Sequence, residues 1–221
     1  MQLTVEYSVE KDTETYTNLV YTFKAYEHGR QNPKEALLKR LDPQLQDIIT
    51  TADSEKTAHD GIYTYLERYR QNNNEKIEKY ITRLKDEWVL VGDTIINSLE
   101  FLYQNKFPFE KVTVYLTTNN IFPYSYENKY FYANLEYLMP QLGTAKHELN
   151  HFMFYYYYPK LKEPLSDEKY ELLKESLTFF SNPEQRGKPN ELPLRELYKS
   201  KIWKNMDEAV KAGVEFLIKQ S

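Results

Sequence analysis

Two histidines and a glutamate stand at a spacing that can do chemistry: His147-Glu148-Leu149-Asn150-His151, the H-E-x-x-H pattern. On an α-helix, residues four apart share a face one turn apart, so His147 and His151 can each offer a ring nitrogen to one Zn²⁺. Glu148 then stands beside the ion and outside its ligand set, where a carboxylate can take a proton from a zinc-bound water. Zinc lowers the pKa of such a water from about 15.7 toward about 7, which makes a hydroxide nucleophile available at neutral pH. The chain holds only 4 His in 221 residues, so two of them at this spacing around a Glu carry information. Without a metal, the same residues are a solvated polar face of an ordinary amphipathic helix.

The stretch from Thr144 to Phe152 resembles the active-site helix of the zincin metallopeptidases. Those enzymes divide by their third zinc ligand. The metzincin continuation needs a Gly and a third His, whereas this chain continues Phe152-Met-Phe-Tyr-Tyr-Tyr-Tyr158, and the inverted order H-x-x-E-H is absent. The resemblance is therefore to the gluzincin, or thermolysin-like, arrangement, which implies a glutamate ligand from a second helix downstream. Ser166 to Phe180 has an N-cap Ser, first-turn acids and a stop at Asn182-Pro183, the signals of such a helix. Glu175 is the expected third ligand, because it is mid-helix and lies in Lys174-Glu-Ser-Leu-Thr178, a run similar to gluzincin glutamate helices. Glu171, one turn earlier on the face shared with Glu175 and Thr178, is the alternative, and Glu168 at the helix start ranks last. Gluzincins usually add a Tyr or His that donates to the oxyanion, and Tyr198 stands in the right order for it. His28, beside Gly29 at a helix end, is expected to cap that end, and His59 lies beside Asp60 near a helix start.

The resemblance implies an α+β fold, mainly helical, with a small sheet, a long helix behind it, the H-E-x-x-H helix and a following glutamate helix. It implies a zinc-dependent peptidase acting on a peptide or protein, in which His147, His151 and Glu175 hold Zn²⁺ and Glu148 is the general base. Two alternatives stay open: a regulatory protease that cuts one intracellular protein, and a non-catalytic zincin-like binding scaffold whose zinc is structural or absent. A fourth protein ligand, from His28 or His59, would mark the scaffold.

Composition narrows the classes further. A net charge of −4 with no basic block argues against nucleic acid as the main partner. Cysteine is absent, which removes disulfides, thiolate metal sites and cysteine nucleophiles. The amino terminus lacks a basic segment followed by an apolar run, and no stretch reaches about 18 apolar residues, so a cytoplasmic protein without membrane contact is expected. Tyrosine is frequent, at 21 residues, and glycine scarce, at 6.

Several elements must position the motif. Leu3, Val5, Tyr7 and Val9 alternate as a short strand that can pair with later ones, and a helical pattern runs from Asp12 to His28-Gly29. Pro33 opens a short helix, Asp42-Pro43 caps another, and Ser54 starts a helix reaching about Tyr69. Asn72-Asn73-Asn74 is a polar break, taken as the boundary between a helical N-terminal part (1–72), recognition or regulatory in role, and a metallopeptidase core (73–221), unless the whole is one compact domain. Ile77, Ile81, Leu84, Trp88, Val91, Ile95, Leu99 and Leu102 make residues 75–104 the longest amphipathic helix, with Gly92 allowing close packing. Val112, Val114 and Leu116 alternate as a strand, and residues 129–135 form a second. Zincins bind substrate along a sheet edge just before the active helix, so 130–135 is the candidate edge, with a plain core hairpin as the alternative. Pro140 opens the zinc helix, whose Leu142, Ala145, Leu149, Phe152, Met153 and Tyr156 form one apolar side, and the run Tyr155 to Tyr158 is expected to pack. Two terminal helices follow, at 192–203 and 206–219.

Overall fold

The computed structural model describes residues 1–22, 38–120, 124–135 and 141–219. Strand β1 (Gln2–Tyr7) ends at Ser8, whose hydroxyl accepts from the Lys11 backbone N–H at 3.3 Å and so caps helix α1 (Val9–Thr17). The cap corrects the expected boundary: Val9 is a buried first-turn residue and not the end of a strand. A wider π-type turn continues over Asn18–Thr22. The helix end at His28-Gly29 and the helix opened by Pro33 lie outside the described residues.

Helix α2 (Pro43–Thr51) is capped by Asp42, and α3 (Glu55–Tyr103) by Ser54, whose hydroxyl accepts from the Thr57 N–H at 3.1 Å. At 49 residues, α3 joins the two helices expected on either side of Asn72–Asn74. The polar break is a kink within it. Asn73 leaves helical geometry (φ −123°, ψ 15°), and its side-chain amide donates to the Tyr69 carbonyl at 2.8 Å. The first limb buries Ala58, Ile62 and Leu66 against Val9, Tyr16, Leu45 and Ile49 of α1 and α2. The second limb lays Ile77, Ile81, Leu84, Trp88, Ile95 and Leu99 against the sheet, with the Trp88 ring over Gly92, where a Cβ would meet it at 2.5 Å.

The sheet has four strands in the order β1-β2-β4-β3, with β2 at Lys111–Thr117, β3 at Tyr124–Ser125 and β4 at Tyr130–Asn134. β1, β2 and β4 are parallel, with Val5 opposite Val114 and Val114 opposite Phe131. β3 runs antiparallel on β4, placing Tyr124 opposite Phe131. The candidate edge at 130–135 is corrected in part: β3 covers Tyr130 and Phe131 of β4, and among the described residues no strand pairs with the outer side of β4 beyond them. Parallel β2 and β4 need a crossover between them, and that connection supplies β3 on its way back.

Helices α4 (Gln141–Tyr157), α5 (Asp167–Ser181), α6 (Leu192–Lys199) and α7 (Met206–Lys219) complete an α+β fold that is mainly helical. α4 is shared by two cores. Ala145, Leu149 and Phe152 join the sheet core, while Met153 and Phe154 join a second core with Leu173 and Leu177 of α5, Leu194 and Tyr198 of α6, and Ala209 and Val210 of α7. The expectation of one apolar side is corrected accordingly, because the C-terminal helices cover the face that pattern alone left to solvent. Tyr156 is 49% exposed, whereas His151 is 1% exposed; the side chain of Leu142 is outside the described ones. The other tyrosines of the run pack and bond: Tyr155 donates to Glu171, Tyr157 to the Lys106 carbonyl, and Tyr158 to Asp207. No helix among the described residues is long and apolar enough to cross a membrane.

Candidate metal centre

The i, i+4 spacing on α4 brings the rings of His147 and His151 to 4.4 Å, centroid to centroid. Ser166 caps α5 through the Lys169 N–H, and α5 packs on α4 through Leu173 and Leu177, which aims Glu175 between the two rings. Its Oε2 lies 3.6 Å from His147 Nε2 and its Oε1 3.5 Å from His151 Nε2. The ligand atoms of the three residues are all within 4.8 Å of one another, the one such group of His, Asp and Glu among the described residues. Zinc bonds of about 2.0–2.1 Å in a tetrahedron separate neighbouring ligand atoms by roughly 3.3–3.4 Å. The group could therefore hold a metal ion after small side-chain adjustments.

One orphaned buried atom, on Glu148, bears on the chemistry of the group, whereas another, His151 Nδ1, is not the ring nitrogen that faces Glu175. Neither Nδ1 of His151 nor Oε2 of Glu148 has a hydrogen-bond partner, and both residues are buried. Such vacancies are costly in a folded chain and call for an explanation. His147 differs: its Nδ1 is 3.0 Å from Gln185 Oε1 in the loop after α5. Donation from Nδ1–H to that amide oxygen leaves the lone pair on Nε2, the nitrogen that faces Glu175.

The charges around the group and its burial shift the pKa of His147, Glu148, His151 and Glu175. Burial, Lys174 and His147 together hold His151 well below its ordinary pKa, against the pull of Glu175. Burial also pulls on His147, but the bond to Glu175 and the charges of Glu148 and Glu175 outweigh it and raise its pKa. Glu175 is held far down despite burial by His151, His147, Lys174 and Lys188. Glu148 goes the other way: burial, with Glu175 adding, pushes it up to about 7 against His147, Lys174 and Lys188. A carboxyl poised there can both accept and return a proton near neutrality.

The other candidates fall elsewhere. Glu171 accepts from the Tyr155 hydroxyl at 2.8 and 3.0 Å and from Lys174 at 2.7 Å, so it is occupied outside the metal group. Glu168 is exposed in the first turn of α5. Tyr198 is corrected as the oxyanion donor: it is buried in the C-terminal core, packed on Phe180 and Trp203, with its hydroxyl against Gly213. Chain order suggested it, but α6 turns its side chain into the core. His59 pairs with Glu10 and Asp60 on α1 and α3, and His28 lies outside the described residues.

Three neighbours escaped sequence reasoning. Tyr124 of β3 tilts over His151 with ring centroids 5.5 Å apart, Gln185 holds His147, and Lys174 sits 3.2 Å from Glu175 Oε1. Only Lys174 had a signal, its place beside Glu175 in the glutamate helix. No family model, curated protein or solved structure matches this chain.

Proposed function

We propose that this chain is a zinc-dependent peptidase of the gluzincin kind, in which His147, His151 and Glu175 hold Zn²⁺ and Glu148 is the general base. The observation that carries this is the convergence of the three ligand atoms beside a buried glutamate that has an unpartnered oxygen. Bound zinc would supply a Lewis acid for the scissile carbonyl and acidify the attacking water. Glu148 takes the proton of that water as it attacks and returns it to the departing amine. His147 is kept in the right tautomer by Gln185, and the buried walls of α4 limit competing water. An extended peptide would pair with the edge strand β3, whose Tyr124 borders His151, by backbone bonds that are largely independent of sequence.

The test combines metal analysis with peptide hydrolysis. One zinc per chain and cleavage of a mixed peptide library, with Glu148→Gln keeping the zinc and losing the cleavage, is the expected result. Stoichiometric zinc with no cleavage in either protein would instead favour the non-catalytic scaffold. A wild type that takes up no zinc would end both readings.

A further inference from the structure

We propose that Lys174 is a positioning residue for the metal centre: its ammonium ties down Glu171 and one oxygen of Glu175, so that Glu175 alone joins the ligands and does so through a single oxygen. This rests on the metal site proposed above, though not on peptide hydrolysis.

Lys174 is 2% exposed, although a lysine is seldom buried without partners. An ammonium has three N–H donors, and here each has an acceptor. Its hydrogen bonds go to Glu171 Oε2 at 2.7 Å, to the Tyr124 hydroxyl and to the Tyr155 hydroxyl at 3.3 Å, and Glu175 Oε1 stands 3.2 Å away as an ion-pair partner. Tyr155 donates to Glu171, so its oxygen is free to accept from Tyr124 at 2.7 Å. Lys174, Tyr124, Tyr155 and Glu171 thus close a ring of hydrogen bonds contributed by α5, β3 and α4. That ring adjoins the metal group at two points, Lys174 against Glu175 and Tyr124 against His151.

Two consequences follow for the ligand set. Glu171 and Glu175 are one turn apart on α5, and two free carboxylates there could compete for one ion; Lys174 commits the first. A carboxylate can also bind a metal through both oxygens, which would fill the coordination position that a catalytic site leaves for water. The ion pair of Lys174 with Oε1, at 3.2 Å against 3.8 Å for Lys188 with Oε2, favours binding through Oε2 alone.

The test uses the full chain loaded with Zn²⁺ or Co²⁺. Lys174→Met by itself also removes a cation that repels the metal, so the informative protein is the charge-balanced pair Lys174→Met/Glu171→Gln, with Glu171→Gln as its control. The expected result is zinc affinity lower by about 10–100-fold in the pair, together with weaker visible Co²⁺ absorption as the ion gains an oxygen ligand, and neither change in the control. If methionine does not fold at this position, Lys174→Gln/Glu171→Gln makes the same comparison. Wild-type affinity and spectrum in the pair would overturn the inference, leaving Lys174 as a charge partner of Glu171 only. The same effects in Glu171→Gln alone would overturn it in favour of Glu171. A wild type that binds neither ion would remove the metal centre and this inference with it, whereas a wild type that binds while the pair is unchanged removes the inference alone.

Discussion

Asp12 and Glu148 are both buried carboxylates beside the same sheet, yet their hydrogen bonding is opposite. Asp12, in α1, accepts from four donors: the hydroxyls of Tyr7, Thr117 and Thr118 and the Thr118 N–H, at 2.5 to 3.1 Å. Those bonds tie α1 and β1 to the end of β2. Glu148, in α4, keeps one oxygen without any partner. Burial raises both acids, Asp12 to about 6 and Glu148 to about 7. A pKa shift therefore does not separate them; hydrogen-bond satisfaction does. A buried acid whose acceptors are filled fits a place in the frame, and one with an unpartnered oxygen fits the general-base role proposed above.

The sharpest contrast is the same chemical change, acid to amide, made at each. Glu148→Gln removes the base and is expected to lower peptide hydrolysis by about 10²–10⁴-fold, while thermal melting stays at or above wild type because no satisfied bond is lost. Asp12→Asn is expected to leave zinc content and hydrolysis intact. If Glu148→Gln instead melts well below wild type with activity retained, the two acids belong to the same structural class.

A second pair tests which glutamate of α5 belongs to the site. Glu175→Ala should lower zinc affinity by more than about a hundredfold, beyond the loss typical of residues that only hydrogen-bond a ligand. Glu171→Ala should keep the zinc and destabilise the fold by about 1–3 kcal/mol, since Tyr155 and buried Lys174 lose an acceptor. Metal titration and urea melts of both variants check this, and the reverse pattern would make Glu171 the ligand.

Asp12 itself gives a pH signature. For the folded chain, burial outweighs the four donors and lifts the carboxyl from 3.8 to about 6, so the fold binds this proton more tightly than the unfolded chain does. The stability from that linkage is full below about pH 3.8 and is lost as pH rises through about 6. Asparagine has no such titration and loses acceptors to a misplaced NH₂, at a cost of about 1–3 kcal/mol. Urea melts of both proteins at pH 4.5 and 7.5 should show wild type ahead at both, by a smaller margin at the higher pH. A margin that widens with pH would mean that the four donors overcome burial.

Much of this was legible in the chain. His147, Glu148 and His151 are close in sequence, so one helix suffices to assemble them, and Glu175 could be placed because its helix carries its own start and stop signals. Ser54, Asp42 and Ser166 announced their caps for the same local reason. What escaped depends on contacts between distant segments. β3 is two residues long and is defined by its pairing with β4, so no alternation could reveal it. Val9 fitted a strand pattern until the Ser8 cap claimed it for a helix. Tyr198 had the right order and the wrong layer, because order along the chain does not say which side of α6 meets the core. Gln185 lies in an irregular loop, where no period predicts direction.

Gln185 also sets the smallest expected effect. It gives His147 the Nδ1 partner that His151 lacks, so removing it takes away one difference between the two histidines proposed as ligands. The bond is exposed to water, which can take the amide's place, and a neutral hydrogen bond contributes about 0.5–1.5 kcal/mol. Gln185→Ala should accordingly weaken zinc binding by no more than about tenfold and leave melting unchanged, because the loop is held separately by buried Arg195, which donates to the Gln185 carbonyl at 2.8 Å and pairs with Glu191 at 3.1 Å. Competitive zinc titration reads the first quantity and a thermal melt the second. A loss as large as that of Glu175→Ala would mean that the orientation of His147, more than the presence of three ligands, limits the site; no loss at all would mean that water serves both histidines equally and that the difference between them has no functional weight.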